Sequence, residues 1–416
     1  MLTPTDVATI GGDGNGDPVD GHRFVLDRIP VIADYLGFEA YLVGGPVRDR
    51  LLGVTTTDLD IAVVGDAVIV AEKLASDING RLTVHQRFGT ATVTAGALTI
   101  DLVTARRETY SSPGALPDVE RGEIADDLAR RDFTINAMAM PLPASVGELV
   151  DPHQGQADLE SGLIRVIHAG SFRDDPTRIL RAVRYAARFG FTIEPDTATL
   201  MSQALAARAF STLTGDRVRH ELERTFQESD PAAPLRLAGD CGVMTAIHPA
   251  LTASHLPDVG ETVTPLAWLA ALVWPLNADE GAALTARLNA PSDWARVIAD
   301  TARIRALASS IGDAAKPSDV CALLDGMAPD ALKGAIMMAA GSPIADQIGR
   351  YLSEWWSVAP RLRGHDLLAL GVPAGPEMGA ALRELRRARL DGETHSVQDE
   401  QELVRNWAQV SDRTTR

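Results

Sequence analysis

The tightest constraint on the fold lies in residues 41–63, YLVGGPVRDRLLGVTTTDLDIAV, where a paired-glycine turn, a helix start and a strand bearing two acids share one short stretch. Val43 closes an apolar run that predicts a strand. Gly44 and Gly45 can take backbone angles closed to other residues, so the chain can turn sharply and expose its N–H groups. Pro46 suits the first turn of the helix that follows, where a missing N–H costs nothing. A helix N-terminus with free amides is a ready phosphate cradle, and Arg48 on that first turn adds a fork-shaped cation. Asp58 and Asp60 stand at i and i+2 in DLDIAVV, so on a strand both carboxylates point to one face. Two like charges that close are unfavourable unless a cation sits between them, which points to a divalent metal. A phosphate cradle beside a metal-binding acid pair predicts phosphoryl or nucleotidyl transfer.

Asp101 extends that pattern. Alternation in ALTIDLVTARR puts Leu98, Ile100 and Leu102 on one face and Thr99, Asp101 and Val103 on the other. Asp101 is either a surface acid on an edge strand or, beside the DLD strand, the third carboxylate of a site. Three such acids can hold two divalent ions roughly 3.5–4 Å apart, with the attacking hydroxyl and leaving pyrophosphate in line and no separate histidine base.

Length permits two to four domains in 416 residues, and 45% hydrophobic with 23% charged residues predicts a globular chain. No apolar run reaches the ~20 residues that span a bilayer. The first residues lack the charged and apolar regions of a signal peptide. Two cysteines, Cys241 and Cys321, build neither a disulfide framework nor a zinc quartet, so a reducing cytoplasm is expected. A formal charge of −17 gives no support to nucleic-acid binding, yet arginines cluster locally at 173–188, 217–224 and 383–389.

Residues 1–20 are expected to be a flexible Gly/Asp-rich tail, and 21–38 a helix leading into the strand that ends at Val43. Strand-like and helical runs then alternate to about residue 105, and GTATVTAG with ALTIDLVTA predicts a hairpin. Residues 107–125 are expected to be a long polar loop, functional or mobile. Beyond residue 160 the pattern is helical almost to the end, without a fixed-period repeat.

The GG-x-V-R-D turn followed by D-x-D resembles the nucleotidyltransferases of the DNA polymerase β superfamily, and most closely the class II tRNA nucleotidyltransferase (CCA-adding enzyme) and bacterial poly(A) polymerase family. The resemblance is specific over residues 40–226 and diffuse beyond. DDLARRDFTINAMAM (126–140) is similar to that family's RRDFTxNAMA motif. By resemblance Arg131 faces the triphosphate with Arg130 as support, Asp132 caps or orients that arginine, and Asn136 donates to phosphate or sugar. VDPHQGQADLESGLIRVI (150–167) resembles a turn and helix linking head to neck, in which Asp151 and Asp158 are expected to be capping residues.

FRDDPTRILRAVRYAARFGF (172–191) places Arg178, Arg181, Arg184 and Arg188 in one stripe, with Ile179, Leu180, Val183 and Ala187 on the other side. Asp174 or Asp175 with Pro176 marks the helix start. The stripe is either a solvated basic face or a surface for something anionic. The segment resembles the family's EDxxR motif, with Asp174 in place of Glu. The resemblance implies that Asp175 and Arg178 read the Watson–Crick edge of an incoming nucleotide, while Arg181 and Arg184 serve ribose, phosphates or the neck. A carboxylate accepts from the exocyclic amine of cytosine or adenine. Uracil and guanine offer a carbonyl there and leave it unpaired, at a cost of about 1–3 kcal/mol. Arg217 and Glu221, at RxxxE spacing, are expected to form an i, i+4 salt bridge. Arg383, Arg386 and Arg387 lie in a segment resembling the tRNA-contacting tail and are candidate phosphate contacts.

The resulting expectation is an α+β chain. It comprises the tail (1–20), a polymerase β-like nucleotidyltransferase head (21–160), a helical neck that recognises the base (161–250), and a helical body and tail that bind tRNA (251–416). Asp58, Asp60 and Asp101 are the catalytic candidates. Gly44, Gly45, Arg48, Arg131, Asn136, Asp175, Arg178, Arg181 and Arg184 are the nucleotide-binding ones. The cofactor is Mg2+ at a two-metal site on Asp58 and Asp60. The expected reaction adds CCA, or part of it, to the tRNA 3′ end from CTP and ATP. CC-adding, A-adding and poly(A)-adding enzymes are the alternatives. No membrane association and no protein partner is expected.

Overall fold

A computed structural model of the chain describes residues 18–54, 58–85, 89–109, 114, 117–143, 147–257 and 263–414. Contacts divide the chain into two compact units, 1–217 with 240–246, and 218–239 with 247–416. The head–neck boundary expected at residue 160 falls inside the first unit, and the division itself runs through one helix.

The first unit opens with α1 (Pro18–Leu36), so the helix begins three residues inside the stretch expected as tail. There follow β1 (Glu39–Val43), α2 (Gly45–Leu51), β2 (Asp58–Val64), α3 (Ala67–Asp77), β3 (Arg81–His85), β4 (Thr90–Ala95) and β5 (Leu98–Thr104). Asp66 caps α3 by accepting from the Val68 N–H. β4 and β5 form the expected hairpin, turned at Gly96 with φ +60°. With β8 (Ala139–Leu142) these strands make one sheet in the order β3-β4-β5-β2-β1-β8, antiparallel except between β2 and β5.

Strict alternation on β5 buries Leu98, Ile100 and Leu102 while Thr99, Asp101 and Val103 stay half-buried. α1 and α3 pack against this sheet, and the apolar face holds Leu42, Ile61, Val63, Val93, Ile100 and Leu102, all 3% exposed or less. On the opposite face Ala62, Val43 and Ala139 are sealed by Leu128 and Ala137. Only part of that face, around Asp60 and Asp101, is left for chemistry.

The stretch expected as a loop after residue 107 is structured at both ends. β6 (Arg106–Thr109) and β7 (Asp118–Arg121) pair as an antiparallel ribbon with Arg107 opposite Glu120. The same register sets Arg106 opposite Arg121, and Arg107 and Arg121 find their acids off the ribbon, at Asp126 and Asp66. Within the loop itself Gly114 and Pro117 are the described residues. α4 (Ile124–Ala129) leads through a 3-10 turn at Thr134–Asn136 into β8, so FTINAMAM is not a continuous helix.

Next come α5 (Gly155–Glu160), β9 (Leu163–Ile164), α6 (Ser171–Asp174), α7 (Thr177–Phe189), β10 (Thr192–Ile193), α8 (Pro195–Ala206) and α9 (Gly215–Phe226). β9 and β10 pair in parallel, a short piece of sheet the helical pattern did not announce. Asp151 caps α5 as expected, accepting from Gly155 N–H at 2.6 Å and Gln156 N–H at 3.0 Å. Asp158 does not cap: it is buried, accepting from the Thr134 hydroxyl and pairing with Arg165.

The second unit is helical throughout its described residues. The helix Pro265–Val273 is almost wholly buried, and Gly334 approaches it so closely that a Cβ would press on the Ala267 carbonyl at 2.9 Å. Toward the C-terminus Leu362, Leu367, Val372, Ala381, Leu385 and Val404 form a separate small core. In that region Arg386 pairs with Asp325 and donates to the Val358 carbonyl. Arg387 is held by Glu384 and Glu393 at 2.9 and 2.6 Å. Both candidate phosphate contacts therefore spend their charge inside the unit, and Arg383 stays exposed beside a cleft of about 540 Å3.

Ile61 sits at the centre of the sheet with no exposed surface. Replacing it with Ala should cost about 2–5 kcal/mol and lower the thermal midpoint of the first unit, measured by differential scanning calorimetry.

Candidate active site

The site grows out of the register of four strands. Asp58 opens β2 in register with Thr99, and Asp60 pairs directly with Asp101 on the parallel neighbour β5. Paired residues of a parallel ladder share a face, so the Asp60 and Asp101 carboxylates stand side by side. Asp101 is thus on a central strand and not on an edge strand. Thr92 on β4 faces Asp101 from the far side and donates its hydroxyl to Oδ1 at 2.6 Å. Among the described residues no three His, Cys, Asp or Glu side chains form a ready-made metal cage. The donor set still suits a hard divalent cation, because two adjacent carboxylates supply oxygen ligands and repel one another without one.

β1 lies antiparallel to β2 with Leu42 opposite Ile61, so the Gly44–Gly45 turn leaves the sheet at the end where Asp60 sits. Gly44 takes φ +73°, and a Cβ there would fall on the Arg131 guanidinium. Only glycine meets both demands at once. The Gly44 N–H donates to the Met138 carbonyl at 3.2 Å, which ties the turn to the segment entering β8.

Around this turn the arginines are organised by acids. Asp127, with no exposed surface, receives Arg130 through Nε and Nη2 at 3.0 and 2.6 Å, and Arg131 through the same atoms at 3.2 and 2.9 Å. Asp127 therefore orients Arg131, the role expected of Asp132. Its i+3 and i+4 spacing to the two arginines was the available signal. Asp132 instead accepts Arg181 through Nε at 2.8 Å and Nη2 at 2.6 Å, and caps the Phe133 N–H. Asn136 joins the halves: its amide donates to Asp132 at 3.1 Å and its oxygen accepts from Arg48 at 2.6 Å.

The arginine stripe of α7 is largely withdrawn from solvent, with Arg188 at its end exposed. Arg178 and Arg184 are 5% and 4% exposed. Arg178 donates Nη1 to the Ser171 hydroxyl at 2.7 Å and Nη2 to the Arg130 carbonyl at 2.6 Å. The guanidinium carbons of Arg48, Arg181, Arg184 and Arg188 all lie 4.9–5.6 Å from the Tyr185 ring centroid. Four cations on one ring make a concentrated positive field, softened by the ring quadrupole. Glu108 on β6 pairs with Arg106 and Arg130, linking the ribbon to the same network. Asp175 begins α7 as expected, accepting from the Thr177 N–H and hydroxyl at 3.0 and 2.6 Å. The pair expected within RxxxE is replaced: Arg217 binds Asp175 at 2.7 Å, while Glu221 takes Arg224 at 2.6 Å. Asp175 and the Gly114 carbonyl together engage both terminal nitrogens of Arg217.

Burial pushes the Asp132 carboxyl up, but the Arg181 charge, the Asn136 and Arg181 hydrogen bonds and the Arg178 charge outweigh it and hold it at about 2. Because the folded value lies below the unfolded one of about 4, this carboxylate stabilises the fold above pH ~4, and the effect fades as pH falls toward 2. Asp132→Asn should destabilise the first unit at pH 7 by about 2 kcal/mol or more. The gap from wild type should shrink as pH drops from 4 to 2, followed by thermal melts across that range.

Comparison with known proteins places this arrangement. The family described as Poly A polymerase head domain matches residues 40–165, and that described as probable RNA and SrmB- binding site of polymerase A matches 190–254. An A-adding tRNA nucleotidyltransferase of Halalkalibacterium halodurans is 34% identical over 93% of this chain and 92% of its own length. A CC-adding tRNA nucleotidyltransferase of Deinococcus radiodurans is 33% identical over 91% of each chain. A solved CCA-adding enzyme, in its second apo form, superposes with a TM-score of 0.80 at 30% identity, covering 96% of this chain and 97% of that one. Identity sustained over nearly the full length of both chains shows that this chain belongs to the tRNA nucleotidyltransferase and bacterial poly(A) polymerase family of nucleotidyltransferases.

Proposed function

We propose that this nucleotidyltransferase extends the 3′ end of tRNA without a nucleic-acid template, adding CCA or part of it from CTP and ATP and releasing pyrophosphate. The observation that carries the reading is the pairing of Asp60 with Asp101 on one face, at the edge of the Gly44 turn. Asp58, Asp60 and Asp101 would hold divalent ions, Mg2+ in this reading. Bound there, the ions would neutralise phosphate charge and ease deprotonation of the terminal ribose hydroxyl. The chain's own part is positioning. Gly44 and Gly45 let the triphosphate approach the backbone, while Arg48 and Arg131, their guanidinium groups held by Asp49 and Asp127, set fixed positive charge beside it. Asn136 holds Arg48 in place. Asp175 and Arg178 present an acceptor and a donor to the base edge, with Arg181 and Arg184 behind them.

In this reading residues 21–160 act as head, 161–250 as base-selecting neck and 251–416 as tRNA-binding body and tail. Of the three tail arginines, Arg383 is the one that reaches solvent unpaired among the described residues and contributes to the RNA surface, while Arg386 and Arg387 are held by acids of their own unit. No described helix is long and apolar enough to cross a membrane. We place the enzyme in the cytoplasm with its substrate.

Relatives with A-adding and with CC-adding activity both match this chain along its length, so the extent of addition is decided by product. Purified protein is incubated with tRNA lacking its last one, two or three nucleotides, with CTP, ATP or both, and the products are sequenced. Full CCA on all three substrates is the expected result. Addition of one nucleotide type assigns a partial enzyme, and homopolymer tails assign poly(A) synthesis. Asp60→Asn should lower incorporation at least 100-fold while tRNA binding, followed by filter retention, stays near wild type.

A further inference from the structure

We infer that Arg217 is a positioning residue for base selection, acting by fixing which oxygen of Asp175 is presented to the incoming nucleotide. The inference rests on the proposed base-reading role of Asp175 and deepens it.

Three donors converge on one atom. Asp175 Oδ1 accepts from the Thr177 N–H at 3.0 Å, the Thr177 hydroxyl at 2.6 Å and Arg217 Nη2 at 2.7 Å. Among the described residues none of the hydrogen bonds to Asp175 reaches Oδ2, and the side chain remains 23% exposed. An ionised carboxylate has about four lone-pair sites, two on each oxygen. Oδ1 is thereby fully occupied, and the acceptor capacity of Oδ2 is left for a ligand. A carboxylate held only by Thr177 would rotate about its terminal torsion, which is soft and roughly two-fold. The charge-assisted bond from Arg217 removes that freedom.

The guanidinium is itself pinned. Its Nη1 donates to the Gly114 carbonyl at 2.9 Å, and the Gly114 N–H donates to the Asp174 carbonyl at 3.3 Å. Both nitrogens of the fork are thus engaged, one by the acid that faces the base and one by backbone far away in sequence. Lysine cannot copy this, because it brings a point charge rather than a planar fork.

The consequence is selectivity. With Oδ2 fixed outward, cytosine and adenine each offer one exocyclic N–H to it, whereas uracil and guanine bring a carbonyl oxygen against a carboxylate oxygen. Once Asp175 rotates freely it can turn away from the wrong base, and the penalty against that base falls.

The test compares kcat/KM for CTP, ATP, UTP and GTP on tRNA lacking its CCA end, with full-length wild type, Arg217→Met and Arg217→Lys. Expected is an Arg217→Met enzyme whose preference for CTP and ATP over UTP and GTP drops about tenfold or more. Arg217→Lys should recover part of it by restoring the ion pair alone. A uniform loss across all four nucleotides marks a merely structural role and overturns the inference, as does an unchanged preference. Should Arg217→Met not fold, Thr177→Val removes one Oδ1 donor while leaving the backbone cap. A smaller drop in the same ratio supports the inference, and a wild-type ratio overturns it. Wild-type protein that extends no tRNA would sink the proposed function and this inference together. Wild-type protein that extends tRNA, with Arg217→Met matching its preference, sinks this inference alone.

Discussion

A guanidinium withdrawn from water costs several kcal/mol unless carboxylates and other acceptors meet it, and the first unit withdraws many of them within a few turns of chain. Asp127 takes Arg130 and Arg131, Asp132 takes Arg181, Asp49 takes Arg48, and Asp175 takes Arg217. Each acid serves a cation close to the Gly44 turn or the helix that follows the DDPTR segment. The strongly acidic composition, which at first argues against an anionic substrate, is in part the counter-charge that lets these arginines be held in fixed orientations. Removing either member of such a pair strands the other in a poorly solvated place. The network is therefore brittle by construction, and its geometry is correspondingly well defined.

The acid pair on the sheet behaves in the opposite way. Asp60 and Asp101 have been brought together by register as two like charges, and Thr92 satisfies one oxygen of Asp101. Two like charges set side by side, next to a turn that only glycine can make, cost stability in the free protein. Such a cost is expected where binding of a cation and an anionic ligand restores the balance.

Much of this was legible in the sequence because it rests on short-range rules. The period of two in DLDIAVV and TIDLV gave the carboxylate face, the paired glycines the turn, and the Gly-bearing break after TVTA the hairpin. What escaped depends on tertiary partners. The β6–β7 ribbon hid in a polar, proline-bearing stretch, since its charged side chains are held by acids and arginines that include Asp126, Asp66 and Arg130 outside the ribbon rather than by apolar alternation. Helical spacing correctly grouped Arg178, Arg181, Arg184 and Arg188, but spacing alone does not say whether a stripe faces water or protein. Arg217 shows the limit most clearly. Its i+4 neighbour Glu221 is the local favourite, yet Glu221 pairs with Arg224, and Arg217 gains a carboxylate and a backbone carbonyl together at Asp175 and Gly114. Carboxylates likewise claim charges that clustering alone assigned to a phosphate: a tertiary one, Asp325, takes Arg386, and the near neighbours Glu384, Asp391 and Glu393 take Arg387.

Replacing a template strand with side chains requires an acceptor and a donor whose orientations outlast each catalytic cycle, and α7 bears on both. Its start places Asp175 with one oxygen saturated. Its first turn buries Arg178, whose five N–H groups include two already committed to Ser171 and the Arg130 carbonyl, leaving three to present. Those two commitments limit rotation of the guanidinium plane in the way Arg217 limits rotation of the carboxylate. Two rigid groups of opposite polarity match the Watson–Crick edges of cytosine and adenine alike, because both bases set an exocyclic amine beside a ring acceptor. Choosing between those two bases demands something further: a change in the space available beyond the shared pattern, since a pyrimidine and a purine differ in size more than in the polarity of that edge. On the proposed reading polarity excludes uracil and guanine, and steric room rather than charge has to distinguish the two nucleotides that remain.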